Sequence, residues 1–229
     1  MSGVHCVMVG SAAPKTQVTF NTAGAGATGA AGSIAVPYPA SLTAGMMIIL
    51  HVYANDATAA SVTTPAGFTA ITDTGAGVAR MYAFYKISDG TETGNLTVSY
   101  TGSVAAAGRM YNTTRSSGYE AAAPNIAAGA IASIPTLNLT TTMPLELGVQ
   151  LQGCLLGGSV TTLANSTGET LVDYTQPVAL YSSGTAIMLG IQTGVITGAG
   201  GVPVVTTGGS ASLGAAKTQR ATICFAVSP

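Results

Sequence analysis

The feature that constrains this chain most is alternation. In "LELGVQLQ", Leu145, Leu147, Val149 and Leu151 fall on one side of an extended strand while Glu146, Gly148, Gln150 and Gln152 fall on the other. That period of two belongs to a strand with one face in a core and one outside it, and no helix satisfies it. "RATICFAV" repeats it, with Ala221, Ile223, Phe225 and Val227 on the inner face, which puts Cys224 on the outward one. "NLTVSY" places Leu96, Val98 and Tyr100 together, and "SIPTLNLTTT" keeps Ile134, Leu137 and Leu139 approximately in register. No stretch holds a 3.6-residue apolar period, because Gly, Pro or β-branched residues interrupt every candidate helix.

Further strands are predicted over 33–36, 46–53, 68–71, 78–87, 105–111, 169–174, 178–181, 186–192 and 202–206. About a dozen short strands separated by Gly, Pro, Asn and Asp turns predict a sandwich or barrel. "SDGTETGN", Ser88 to Asn95, reads as the clearest hairpin turn. At 229 residues with uniform composition, the chain predicts one domain of this class, residues 33–229. Residues 1–32, rich in Gly and Ala, read as an extended N-terminal arm.

Charge excludes several function classes. Charged residues make up 7% of the chain and the formal net charge is −1, with no basic stripe for phosphates, so nucleic acid is not an expected partner. Mean hydropathy is +0.46, yet the strongest apolar run, Met46 to Leu50, falls far short of the roughly 20 residues a spanning helix needs. No membrane partner is expected. The first residues, "MSGVHCVMVGSAAPK", carry no positive region before their apolar ones, which predicts folding in a cytoplasm. Cys6, Cys154 and Cys224 are few, odd in number and widely spaced, which predicts buried thiols rather than a disulfide framework or thiolate zinc site.

Each motif that resembles a catalytic one fails on its surroundings. Gly24, Gly26 and Gly29 have dinucleotide-loop spacing, but Pro37 and Pro39 forbid the helix that would hold a pyrophosphate, and the next acid is Asp56. "DTGA" at Asp73 occurs once, where an aspartic protease needs two carboxylates, so Asp73 reads as a turn residue. His5 and His51 are the only histidines and no G-x-S-x-G elbow occurs; His51, in "MMIILHVYA", reads as a core or interface residue. The sequons at Asn95, Asn112, Asn138 and Asn165 are the by-product of a Thr-rich chain. The reading is of a non-enzyme, with no catalytic residue, no metal site and no cofactor.

Several segments, in their order, resemble a family of tailed-bacteriophage virion proteins with jelly-roll or sandwich domains. The likeness runs from "VPYPASLTAGMMIILHVYA" through "TTPAGFTAI" and "ARMYAFYKISDGTETGNLTVSYTGSVAAAGRMYNTTR" to "SIPTLNLTTTMPLELGVQL" and "KTQRATICFAVSP". Relatives of that kind carry a tryptophan in the "PAGF" turn, where this chain has Phe68, and an aromatic-x-basic pattern that here reads Tyr85, Lys86, Ile87. The resemblance implies a jelly-roll-like β-sandwich on the virion surface that decorates or cements the capsid. Its partners would be the major capsid protein and other copies of itself, as a homotrimer. The arm would anchor each copy through Val4, Val7, Val9, Val18 and Phe20. The rival expectation is a tail or fibre component that binds host glycans through tyrosines on exposed loops; Tyr82, Phe84 and Tyr85 also cluster in one strand. A bridge between copies through Cys224 is a further expectation.

Overall fold

The computed structural model describes residues 15–30, 32–55, 61–74, 79–102, 105–127, 131–134, 138–155, 166–167, 173–174, 178, 181–182, 187–196, 204–207, 211–217 and 219–229. Among them there is no helix, and so none long and apolar enough to cross a membrane. The first half carries β1 (Phe20–Ala23), β2 (Ala27–Gly29), β3 (Ser33–Pro37), β4 (Met46–Asn55), β5 (Ser61–Val62), β6 (Thr69–Asp73), β7 (Ala79–Ile87), β8 (Asn95–Thr101) and β9 (Ala105–Arg115). The second half carries β10 (Gly118–Ala127), β11 (Ile131–Ile134), β12 (Asn138–Thr141), β13 (Glu146–Leu155), β14 (Ser166–Thr167), β15 (Asp173–Tyr174), β16 (Tyr181–Ser182), β17 (Ile187–Ile196), β18 (Val204–Thr207), β19 (Ala211–Lys217) and β20 (Arg220–Ser228). All pairings are antiparallel, and the fold is an all-β, sandwich-like stack.

Three sheets form the layers. The middle one runs β1-β9-β4-β7-β6, with β2 also on β9. On one side lies β3-β8-β5, and on the other β10-β20-β13-β17-β16. This explains why "MMIILHVYA" shows no alternation: β4 is buried on both faces. Its Ile48, Leu50, Val52 and Ala54 pack with Ile34, Val36, Val98 and Phe84 of the first cluster, while Met47, Ile49 and Tyr53 pack with Val149, Leu151, Ile223 and Phe225 of the second. Two glycines set the spacing of the layers. A Cβ on Gly108 would lie 2.8 Å from Ile34 and Val36, and one on Gly153 would lie 2.6 Å from the Tyr53 ring. The Tyr53 hydroxyl then reaches past the sheet to donate to the Gln219 carbonyl at 2.6 Å.

The structure corrects three expectations. The polar face of β13 and β20 is not outside: Glu146, Gln150, Gln152, Thr222 and Cys224 are all fully buried. β12, paired with β18, lies against β10 and β20, while β11 and β19 continue the β10–β20 ladder beyond Ala127 and Arg220. Alternation reports polarity and not exposure; inside, Gln152 Nε2 donates to Gln192 Oε1 at 3.2 Å.

Second, "SDGTETGN" is no hairpin, because β7 and β8 belong to different layers. The loop is an arch built around Glu92. Its carboxylate accepts from Lys86 Nζ at 2.8 Å and Ser88 Oγ at 2.6 Å, and from the amides of Asp89 and Gly90 at 3.2 Å. Burial raises the Glu92 pKa but these donors outweigh it and hold it at about 2.

Third, residues 17–29 of the expected arm are part of the stack. Val18 donates its amide to the Leu145 carbonyl, and β1 and β2 both pair with β9. Residues 1–14 lie outside the described ones. Strand β10 went unread because Pro124 interrupts it; the proline is tolerated because β10 is an edge strand.

Burial on two faces makes a test. Ile49→Ala and Leu50→Ala point to opposite sides of β4, and each should cost ~2–5 kcal/mol of unfolding free energy in urea titrations. Exposed Thr97→Ala should cost under about 0.5 kcal/mol. A mild Leu50→Ala would contradict the three-layer packing.

Candidate functional site

Of the five residues expected to anchor, Val18 is fully buried in the cluster between the second and third layers, and Phe20 packs against that cluster. Neither offers a free apolar side chain to a partner. Val4, Val7 and Val9 lie outside the described residues.

Among the described residues, the histidine and the thiols sit inside the stack. His51 is fully buried on β4, opposite Arg109 of β9, with its ring 6.3 Å from that of Tyr111. Neither ring nitrogen, nor the Tyr111 hydroxyl, has a hydrogen-bond partner. Burial, and then the Arg109 charge, push the His51 pKa down to about 3. Cys154 and Cys224 are free thiols and fully buried, with burial pushing Cys224 up, so Cys224 presents no sulfur for a bridge between copies. Asp73 is held by Arg80 Nη2 at 2.8 Å across the β6–β7 hairpin, beside Thr74, whose hydroxyl accepts the Met81 amide. This is one carboxylate in an ion pair and not half of a proton-sharing dyad.

One carboxylate pair does exist, and it lies elsewhere. Glu146 and Glu120 perturb one another on the third layer, where burial first and Glu120 next raise Glu146 to about 7 against the pull of the Ser228 hydroxyl. Sequence reading missed it because β10, which carries Glu120, was not read as a strand.

One recess is a groove of about 250 Å³ between the β3-β8-β5 sheet and the middle sheet. β5 supplies Val62, the following bend Thr64, β6 Ala70, Thr72 and Asp73, and β7 Tyr82 and Phe84. The Tyr82 and Phe84 rings stack in parallel at 6.1 Å, and the Arg80 guanidinium lies 5.1 Å from the Tyr82 centroid. The aromatic cluster was legible in sequence, but the tyrosine is on a strand, under β5 and β8, and not on an exposed loop. Tyr82 and Phe84 are 5% and 2% exposed, so what the groove presents is mainly Thr64, Ala70, Thr72 and the Asp73–Arg80 pair, polar groups of the kind that a polyhydroxylated ring engages. A second recess, of about 370 Å³, is lined by Tyr38, Leu42, Gly90 and Glu92 at the arch.

No family model, no curated protein and no solved structure matches the chain.

His51 gives a pH prediction. An unfolded imidazole titrates at about 6.5 and the folded one at about 3, so the folded chain binds fewer protons between those values. The stability His51 lends is complete above about pH 6.5 and is lost as pH falls toward 3. Imidazole nitrogen shifts should show His51 neutral from pH 8 to pH 4.5; titration near pH 6.5 would contradict its burial.

Proposed function

We propose that the chain is a non-enzymatic structural protein of a tailed-bacteriophage particle, a jelly-roll-like sandwich that decorates or cements the capsid surface. It contacts the major capsid protein and other copies of itself. The observation that carries this reading is where the charge goes. The chain has fifteen charged residues, and those described are largely spent within the fold: Arg80 on Asp73, Lys86 on Glu92 and Asp89, with Arg220 and Glu146 buried. What faces outward is largely serine, threonine, glycine and alanine. A neutral surface loses little hydration on being covered, and depletion of charge characterises the centres of lasting interfaces. The burial of His51, Cys154 and Cys224 agrees with a protein that works by contact and not by turnover.

Since Val18 and Phe20 are committed to the core, anchoring on the shell falls to Val4, Val7 and Val9. Removing residues 1–32 would strip β1, β2 and a core valine, so the informative truncation removes 1–14 alone. That variant should keep the melting temperature of the full chain. It should bind particles produced without the chain at least about a hundredfold more weakly in co-sedimentation, as expected for the loss of three buried valines. Equal binding would refute the anchoring role.

The groove at Tyr82 and Phe84 favours a second reading, a tail or fibre component that holds host-surface glycans. On a glycan array this reading expects hits that disappear in Ala70→Trp, which fills the groove from an exposed position. Hits that survive the substitution, or none with the full chain, would count against it.

A further inference from the structure

The row of side chains behind the groove continues past Phe84. Arg80, Tyr82, Phe84 and Lys86 share one face of β7, and each step of two residues along a strand covers about 6.5 Å. Tyr82 and Phe84 line the groove, while Lys86 reaches Glu92, in the wall of the second recess, at 2.8 Å. The bend that follows β5 runs the same way: its Thr64 lines the groove, and a Cβ on its Gly67 would lie 3.8 Å from the Lys86 stem. Groove and recess are therefore neighbours along β7.

The backbone of two loops shapes the recess. The segment after β3 is joined to the arch by the Tyr38 amide, which donates to the Gly94 carbonyl at 3.0 Å, and by the Gly45 amide, which donates to the Ser88 carbonyl at 2.8 Å. Ser41, on the rim, sits at φ 61°, a left-handed conformation that serine rarely adopts; strain of this kind collects where folds hold ligands. The Glu92 carboxylate is already engaged, with Oε1 accepting from Lys86 and the Asp89 amide and Oε2 from the Ser88 hydroxyl and the Gly90 amide. What the recess offers a ligand is the half-buried Tyr38 and Leu42 as walls and the exposed Ser41 and Thr93 as hydroxyls. Two acids, Asp89 and Glu92, against Lys86 leave the arch negative, which disfavours an anion there.

We propose that the recess at the arch is a second subsite of the groove, and that the ligand, on the glycan-binding reading on which this inference rests, is a neutral oligosaccharide lying along β7. At about 250 and 370 Å³ the two compartments stand at the small end of ligand pockets, roughly 300–1,000 Å³, so neither encloses a long glycan by itself. A sugar ring suits the recess because its hydroxyls meet Ser41 and Thr93 while its C–H face lies against Tyr38. A chain held at both ends gains from the high effective concentration of its second unit, so affinity rises with length.

The test presents the full chain with an array of neutral glucose, galactose, mannose and N-acetylglucosamine oligomers of one to six units, beside acidic glycans of the same lengths. In the preferred neutral series, binding should strengthen at least about tenfold between one unit and four, and the acidic series should bind less well. Thr93→Trp fills the recess from an exposed position; it should keep the wild-type melting temperature and weaken the longer chains at least about tenfold. Should that variant not fold, Ala40→Trp, exposed on the other loop, replaces it. Hits that Ala70→Trp removes but that the recess variant leaves unchanged would overturn the second subsite while the groove reading stands. Equal binding of one unit and four, or a preference for the acidic series, would overturn it too. With no hits on any series the glycan reading itself falls, and this inference with it.

Discussion

Everything in this molecule hangs on the middle sheet being apolar on both faces. β4 is paired on one edge with β7 and on the other with β9, and its side chains alternate between two separate cores. Neither outer sheet could fold against water alone, because each presents one apolar face that only the middle sheet covers. The close approaches at Gly108 and Gly153 let the three layers reach interior packing density without displacing the backbone.

The same layering encloses the reactive side chains among the described residues. A histidine, two thiols and three glutamines that would be reactive or hydrated elsewhere are enclosed, while Arg80 meets Asp73 and Lys86 meets Glu92 in the arch. A surface left with hydroxyls, methyls and backbone suits lasting contact with other protein, and that is the basis of the structural role proposed. At the groove, Thr64, Thr72 and Asp73 come together beside exposed Ala70.

How much of this was legible in the sequence follows from what each residue pattern reports. Strands with one apolar face, such as β8, β13 and β20, were read with their register, since period-two patterning states which side chains share a face. Exposure was not legible: Gln150, Gln152 and Cys224 are fully buried, and no local pattern records what distant parts of a chain cover. The arch at Ser88–Asn95 has the composition of a hairpin turn, and only the sheet assignment of β7 and β8 separates the two. The opening glycine segment was read as an arm because Gly and Ala weaken any strand signal, yet Gly24 bonds to Met110 and Gly29 faces Ala106 across the sheet. The groove was half visible, through Tyr82 and Phe84; the Glu120–Glu146 pair was not, since Pro124 hid the strand that carries one partner.

The central claim is that this layered, nearly uncharged stack serves by being built into a particle. Quantitative mass spectrometry of gradient-purified phage particles from the host that encodes the chain tests it most directly. The account predicts the chain in a fixed ratio to the major capsid protein, retained through high-salt washing. Its absence from intact particles, with the protein recovered free in the lysate, would contradict the account.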